Sequence, residues 1–203
     1  MRKIAKRYEN PLDNLIIDFC QFVCPTFRKL GFTPNGVTTM SLLFGLFAIF
    51  CLYKGWVWWF AILYFISYVF DNLDGALARK YNMTSKFGDY YDHIKDIVVV
   101  IALIVVLILR NRCSKKVWII AGIVVGIAFI LMTAQLGCQE KIYKKTDDPT
   151  DESPSLSFTT AFCPFNPYEG CKYLRWFGCG TFVLILIGTI VYMEKTRICQ
   201  IKN

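Results

Sequence analysis

Four aspartates stand close enough in the 203-residue sequence to act on one ligand. Asp71 and Asp74 are three residues apart, and Asp92 and Asp96 are four apart. On a helix, either spacing puts both carboxylates on one face. Only a short connection around Arg79 to Phe87 separates the two pairs. If the first pair closes one helix and the second opens the next, all four carboxylates converge at one end of a helical hairpin. Carboxylates gathered there repel one another, and bound cations relieve the repulsion. An all-oxygen donor set suits Mg²⁺, Mn²⁺ or Ca²⁺ and not Zn²⁺. Two such ions sharing carboxylates would grip a diphosphate. Taken singly, each acid reads better as a solvated helix end paired with Arg79, Lys80, Lys86 or Lys95. Four acids at these spacings do not.

The residues around the acids narrow the chemistry. Gly75 follows Asp74 directly, Ala78 lies seven residues after Asp71, and Gly88 lies four before Asp92. Small side chains on those faces let a flat group approach both helices. Arg79 supplies a planar, bidentate donor for phosphate. His93, the chain's one histidine, follows Asp92 directly. By itself a lone histidine reads more often as structural than as a base.

The elements that must hold these residues belong to a membrane. The chain is 55% hydrophobic and only 19% charged, with a mean hydropathy of +0.42. Soluble domains carry about a quarter charged residues, and disorder needs far lower hydrophobicity. The net charge of +8 falls on short polar segments. It therefore suits anionic lipid headgroups or negatively charged substrates rather than nucleic acid. Five apolar runs read as spans: Val37–Tyr53, Val57 to about Ala78, Asp89–Leu109, Val117–Leu136 and Trp176–Met193. The second run is apolar only to Phe70, about 21 Å of helix, so it must continue through Asp71, Asp74 and Gly75 to cross. The segment Leu156–Phe165 is the candidate for a sixth, and Gly137–Arg175 as a whole reads as a polar loop. Gly122 and Gly126 allow close packing of the fourth span. Ahead of the spans, Asn10 and Pro11 open an amphipathic helix suited to the membrane interface.

The expected fold is thus an all-α polytopic membrane protein with five transmembrane helices, or six, behind an N-terminal interfacial helix. It reads as a single domain over 1–203: an interfacial segment 1–36, the acid-bearing spans over 37–109 and the remaining spans over 117–193. No cleavable signal peptide is expected, because Asp13 and Asp18 interrupt the first apolar stretch. Basic residues favour the side of the acids by fourteen to eight, which predicts a cytoplasmic N-terminus and site. The nine cysteines read as reduced thiols, and Cys138, Cys163 and Cys171 lack the paired spacing of a zinc site.

Written out, the acids and their neighbours are Asp71-x2-Asp74-Gly75-x2-Ala78-Arg79-x8-Gly88-x3-Asp92-x3-Asp96. This resembles, at all eight positions, the signature of the CDP-alcohol phosphotransferase family, and Pro34-Asn35-x-Val37-Thr38 resembles the start of its first helix. The resemblance implies a phospholipid-biosynthesis enzyme that moves a substituted phosphate from a CDP-linked donor to an alcohol and releases CMP. It implies two Mg²⁺ or Mn²⁺ ions held by Asp71, Asp74 and Asp92, with Asp96 a ligand of the second ion or the general base. Gly75, Ala78 and Gly88 would pack around the CDP moiety, with Arg79 near its phosphates. The Asp92-His93 pair resembles the choline and ethanolamine phosphotransferase branch, where this histidine is a base. The short chain resembles instead the phosphatidylinositol and phosphatidylglycerophosphate synthases, which use CDP-diacylglycerol. A homodimer among membrane lipids is implied as well. The family core has six spans, one more than the five counted above. Intramembrane prenyl transfer, a carboxylate-site transporter and a non-catalytic relative are the competing readings.

Overall fold

The structure, a computed structural model, describes residues 4–110, 114–146, 157–163 and 166–202. All of the regular structure among these residues is helical. Helix α1 (Pro11–Lys29) is followed by α2 (Pro34–Lys54), α3 (Val57–Lys80), α4 (Lys86–Leu109), α5 (Lys115–Thr146), α6 (Pro167–Leu174) and α7 (Cys179–Lys202). Short 3₁₀ turns at Lys6–Tyr8, Ser157–Phe162 and Arg175–Phe177 complete the order.

Asn10 caps α1, accepting a hydrogen bond from the Leu12 amide at 2.9 Å, with Pro11 in the first helical position. Pro25 lies inside α1. Its missing N–H would strand the carbonyl of Gln21 one turn earlier, and Lys80 Nζ donates to that carbonyl at 2.9 Å. The helix therefore continues to Lys29 and is tied to the end of α3. Ile16, Cys20 and Cys24 of α1 pack on Val37, Leu73, Ala76 and Leu77. The opposite face leaves Leu15, Phe19 and Phe22 exposed, Phe22 at 81%, as an interfacial helix requires.

The central packing joins α2, α3 and α4. Ser41 Oγ donates to the Ser67 carbonyl at 2.9 Å and Ser67 Oγ to the Ser41 carbonyl at 2.8 Å, a reciprocal polar clasp between α2 and α3. One turn on, a Cβ at Gly45 would lie 3.1 Å from Ser67 Oγ and 3.2 Å from Val99 Cγ2. The absence of a side chain at Gly45 lets the three helices approach closely there. α2 packs along both α3 and α4, whereas the backbones of α3 and α4 scarcely approach each other. The space between those two is left for side chains.

Among the described residues, four helical segments have the length and composition to cross a membrane: Pro34–Lys54, Val57–Lys80, Lys115–Tyr143 and Pro167–Thr196. α4 is as long as α3, 24 residues or about 36 Å, but carries Asp89, Asp92, Lys95 and Asp96 in its first half. At the end away from the acids, Arg110 pairs with Glu194 at 2.8 Å and also donates to the Tyr53 carbonyl.

Three expectations change. The polar stretch 137–175 is not a loop throughout: α5 runs on to Thr146 and α6 covers Pro167–Leu174. Gln135, Gln139, Glu140 and Lys141 are good helix formers with no proline among them, and Gln135 and Gln139 bring their amides against the chain start. Gln139 Nε2, for example, donates to Glu9 Oε1 at 2.8 Å. Within Leu156–Phe165, Ser157–Phe162 forms six residues of 3₁₀ helix, about 12 Å and too short to span. Leu156, Pro164 and Phe165 lie outside the described residues, as do Pro149 and Pro154. Last, Cys138 and Cys163 are not free thiols but a disulfide, which fastens the 3₁₀ turn to α5. Folding that turn back onto α5 makes neighbours of cysteines 25 positions apart, which spacing alone does not reveal. Cys20, Cys24, Cys51, Cys171 and Cys179 are free.

Candidate active site

The carboxylates meet where the C-terminal half of α3 faces the N-terminal half of α4. Ser85 caps α4 through the Gly88 amide at 3.0 Å. This starts the helix one turn before Asp89 and sets Asp92 and Asp96 on the side facing α3. Carboxylate oxygens of Asp71, Asp74 and Asp92 all lie within 4.8 Å of one another. Asp74 is the deepest, only 7% exposed, and Thr38 Oγ1 donates to its Oδ2 at 2.7 Å. Asp96 stands at the rim, 59% exposed.

A lysine occupies the middle of this group. Lys95 is 3% exposed, and its Nζ lies 3.0 Å from Asp92 Oδ1 and 2.9 Å from Asp96 Oδ1, with a further ion pair to Asp71 Oδ1. Thr38 and Lys95 are the two site residues that sequence reasoning left out. Thr38 had a usable signal, because it sits in the Pro34–Thr38 segment already singled out. In the sequence Lys95 reads as a routine partner of solvated acids, and only its burial among three of them changes that.

Arg79 folds back over the preceding turn. A Cβ at Gly75 would fall 3.1 Å from its Nη1 and 3.2 Å from its Nη2, so Gly75 makes room for the guanidinium. Arg79 Nε is buried and has no hydrogen-bond partner among the described residues. A buried, unused donor beside a carboxylate group fits an anionic ligand. Gly88 has a different neighbour: a Cβ there would meet Asn35 Oδ1 at 3.0 Å, so its smallness seats α4 on the start of α2. Ala78 is half-buried on α3, one residue before Arg79.

His93 is half-buried, and its Nδ1 lies 2.7 Å from the Asp89 carbonyl oxygen. A carbonyl can only accept, so the neutral ring carries its proton on Nδ1 and presents a lone pair at Nε2.

A second polar cluster ties the interfacial helix to the bundle beside this site. Asp13 accepts from Tyr68 Oη at 2.6 Å and from the Gly180 amide at 3.2 Å. Burial, partly offset by those two bonds, raises its carboxyl from 3.8 to about 6. Asn10 Nδ2 reaches the Arg175 carbonyl at 2.7 Å and Thr181 Oγ1 at 2.9 Å.

The donor set at the centre is oxygen-only and anionic. It fits a hard divalent cation, which Asp71, Asp74 and Asp92 could hold. Comparison with known proteins agrees in kind. The family model described as CDP-alcohol phosphatidyltransferase matches residues 32–165. The CDP-diacylglycerol–glycerol-3-phosphate 3-phosphatidyltransferase of Haemophilus influenzae is 36% identical over 86 residues, which cover 40% of this chain and 46% of that protein. The chain therefore matches less than half the length of this curated relative. No solved structure matches the chain.

Proposed function

The chain belongs to the CDP-alcohol phosphatidyltransferase family, and from that membership we propose that it transfers a substituted phosphate from a CDP-linked donor to an alcohol and releases CMP. The observation that carries this is the meeting of Asp71, Asp74 and Asp92 within 4.8 Å beside the unused donor of Arg79. Family membership favours this chemistry over prenyl transfer and ion transport, neither of which calls for Ala78 or for the unused Arg79 donor beside the acids.

Asp71, Asp74 and Asp92 would hold a divalent cation, Mg²⁺ or Mn²⁺, which when bound neutralises the diphosphate and polarises the phosphoryl oxygens. Arg79 donates to the phosphates of the donor. Ala78 keeps the α3 side of the cleft low for the CDP moiety, while Gly75 and Gly88 act indirectly, by letting Arg79 fold back over its helix and α4 seat on α2. His93 Nε2 or Asp96 takes the proton from the acceptor hydroxyl. The acceptor oxygen then bonds to the distal phosphorus, the bond to the bridging oxygen breaks, and CMP leaves with that electron pair.

The Haemophilus relative's name supports CDP-diacylglycerol as donor, with a small polar alcohol such as glycerol 3-phosphate as acceptor. The Asp92-His93 pair supports a CDP-aminoalcohol and a lipid acceptor instead. The test supplies purified protein in lipid with Mg²⁺ or Mn²⁺ and each donor in turn, over a panel of alcohols, and measures CMP. Release that needs one donor and one acceptor is expected, and Asp92→Asn should abolish it. No release from any combination would make this a non-catalytic relative.

The site is proposed to face the cytoplasm, with the molecule a homodimer. The distribution of basic residues supports that orientation, since Arg110 on the other side is engaged by Glu194. The Cys138–Cys163 bond lies at the same end as the acids and pulls the other way, because disulfides persist in oxidising compartments. Labelling of Thr84→Cys, in the exposed α3–α4 connection, from one side of sealed vesicles decides the matter.

A further inference from the structure

We propose that the Lys95 ammonium takes the place of a second divalent cation, so that each chain holds one ion, in the Asp71–Asp74–Asp92 triad. This rests on the metal-site reading above and departs from the two ions that the resemblance implies. The resemblance gives Asp96 to the second ion, and the triad carboxylates that one positive centre joins to Asp96 are Asp71 and Asp92. Those are the three groups that Lys95 Nζ contacts, in each case through Oδ1. Asp74, which Lys95 does not contact by hydrogen bond or ion pair among the described residues, is held by Thr38 instead.

The placement of Lys95 is not that of a surface lysine reaching inward. It lies on the stripe Lys95, Val99 and Leu103, the buried residues of α4. At 3% exposure in a membrane-spanning bundle, its charge is tolerable only because three carboxylates surround it. A divalent ion drawing on the same three oxygens would sit against a fixed positive charge, and repulsion opposes its entry. An ammonium supplies three donors and one charge without dissociating. It would therefore hold Asp71, Asp92 and Asp96 in place whether or not the triad is loaded, and the dependence on metal would be that of a single site. Lys95 is on this view a positioning residue, since it acts on the carboxylates and not on the substrate.

Mn²⁺ binding to the purified full-length chain in lipid nanodiscs, without nucleotide, tests this by counting ions per chain and recording the electron paramagnetic resonance spectrum. One ion per chain with an uncoupled six-line spectrum is expected. Lys95→Met, nearly equal in length but neutral, should take up two ions with the broadened spectrum of a coupled pair, and Lys95→Arg should remain at one. Two ions in the unmodified chain would overturn the proposal while leaving the carboxylate metal site standing. That count decides even if Lys95→Met fails to fold. One ion in both the unmodified chain and a monodisperse Lys95→Met would also overturn it. No ion in either protein would overturn the metal-site reading itself, and this inference with it.

Discussion

Thr38→Val isolates the support of the deepest carboxylate. Valine matches threonine in shape, so no cavity forms, but the 2.7 Å hydrogen bond to Asp74 Oδ2 is lost. Both partners are buried, Thr38 at 3% and Asp74 at 7% exposure, so water does not replace the donor. A hydrogen bond to a charged group contributes about 1.5–3 kcal/mol. At about 1.4 kcal/mol per factor of ten, that is roughly 10- to 150-fold. Loss of an outer partner of a metal ligand typically costs about 10- to 100-fold in metal affinity, so the two routes agree. The expected result is a Mn²⁺ binding midpoint about 10- to 100-fold higher, with the same rise in the Mn²⁺ needed for CMP release. Thr38→Ser keeps the hydroxyl and should bind within a few-fold of the parent. A Thr38→Val protein with an unchanged Mn²⁺ midpoint would refute the argument, and so would a Thr38→Ser protein as impaired as the valine variant.

Further expectations concern the rest of the molecule. Because burial raises Asp13 from 3.8 to about 6, the folded state holds that proton more tightly than the unfolded chain. Stability should then fall as pH rises from about 4 to about 6, by about 3 kcal/mol from this group, and stay level above. Asp13→Asn should remove that slope in thermal unfolding, and parallel pH curves for the two proteins would exclude Asp13 as its source. Gly45→Leu should lower stability by about 1–3 kcal/mol through overpacking against Ser67 and Val99, read as a drop in Tm. Cys138→Ser should cost about 3.5 kcal/mol by the chain-entropy argument for a 25-residue separation. The loss should vanish when both proteins are compared in reductant. His93→Ala should lower turnover by about 10²- to 10⁴-fold with the donor KM little changed. Equal falls in turnover and donor binding would mark His93 as structural.

Much of the site could be read from linear order because its logic is local. Asp71 and Asp74 share a face by helical spacing, as do Asp92 and Asp96. A five-residue connection, 81–85, then has no way to put the two pairs at different ends. The start of α3 at Val57 and the end of α4 at Leu109 agree with the expected bounds, since hydropathy and the Gly55 turn mark them directly. The region after Leu136 is not legible in the sequence, for the opposite reason. Its polar residues look like a loop until the chain start at Tyr8 and Glu9 is brought against Gln135 and Gln139, and that contact spans about 130 positions.

The sequence by itself determined the class of the protein, the membrane elements, and which residue types gather at one end of the α3–α4 hairpin. It did so because helical period and hydrophobic length are properties of neighbours along the chain. Only the tertiary structure decided what each group faces. It set Thr38 behind Asp74, bent Arg79 over Gly75 and Gly88 against Asn35, closed Cys138 onto Cys163, and buried the Lys95 ammonium among three carboxylates. Those are outcomes of helix packing, in which α2 holds α3 and α4 apart at a distance that side chains and not backbones must fill.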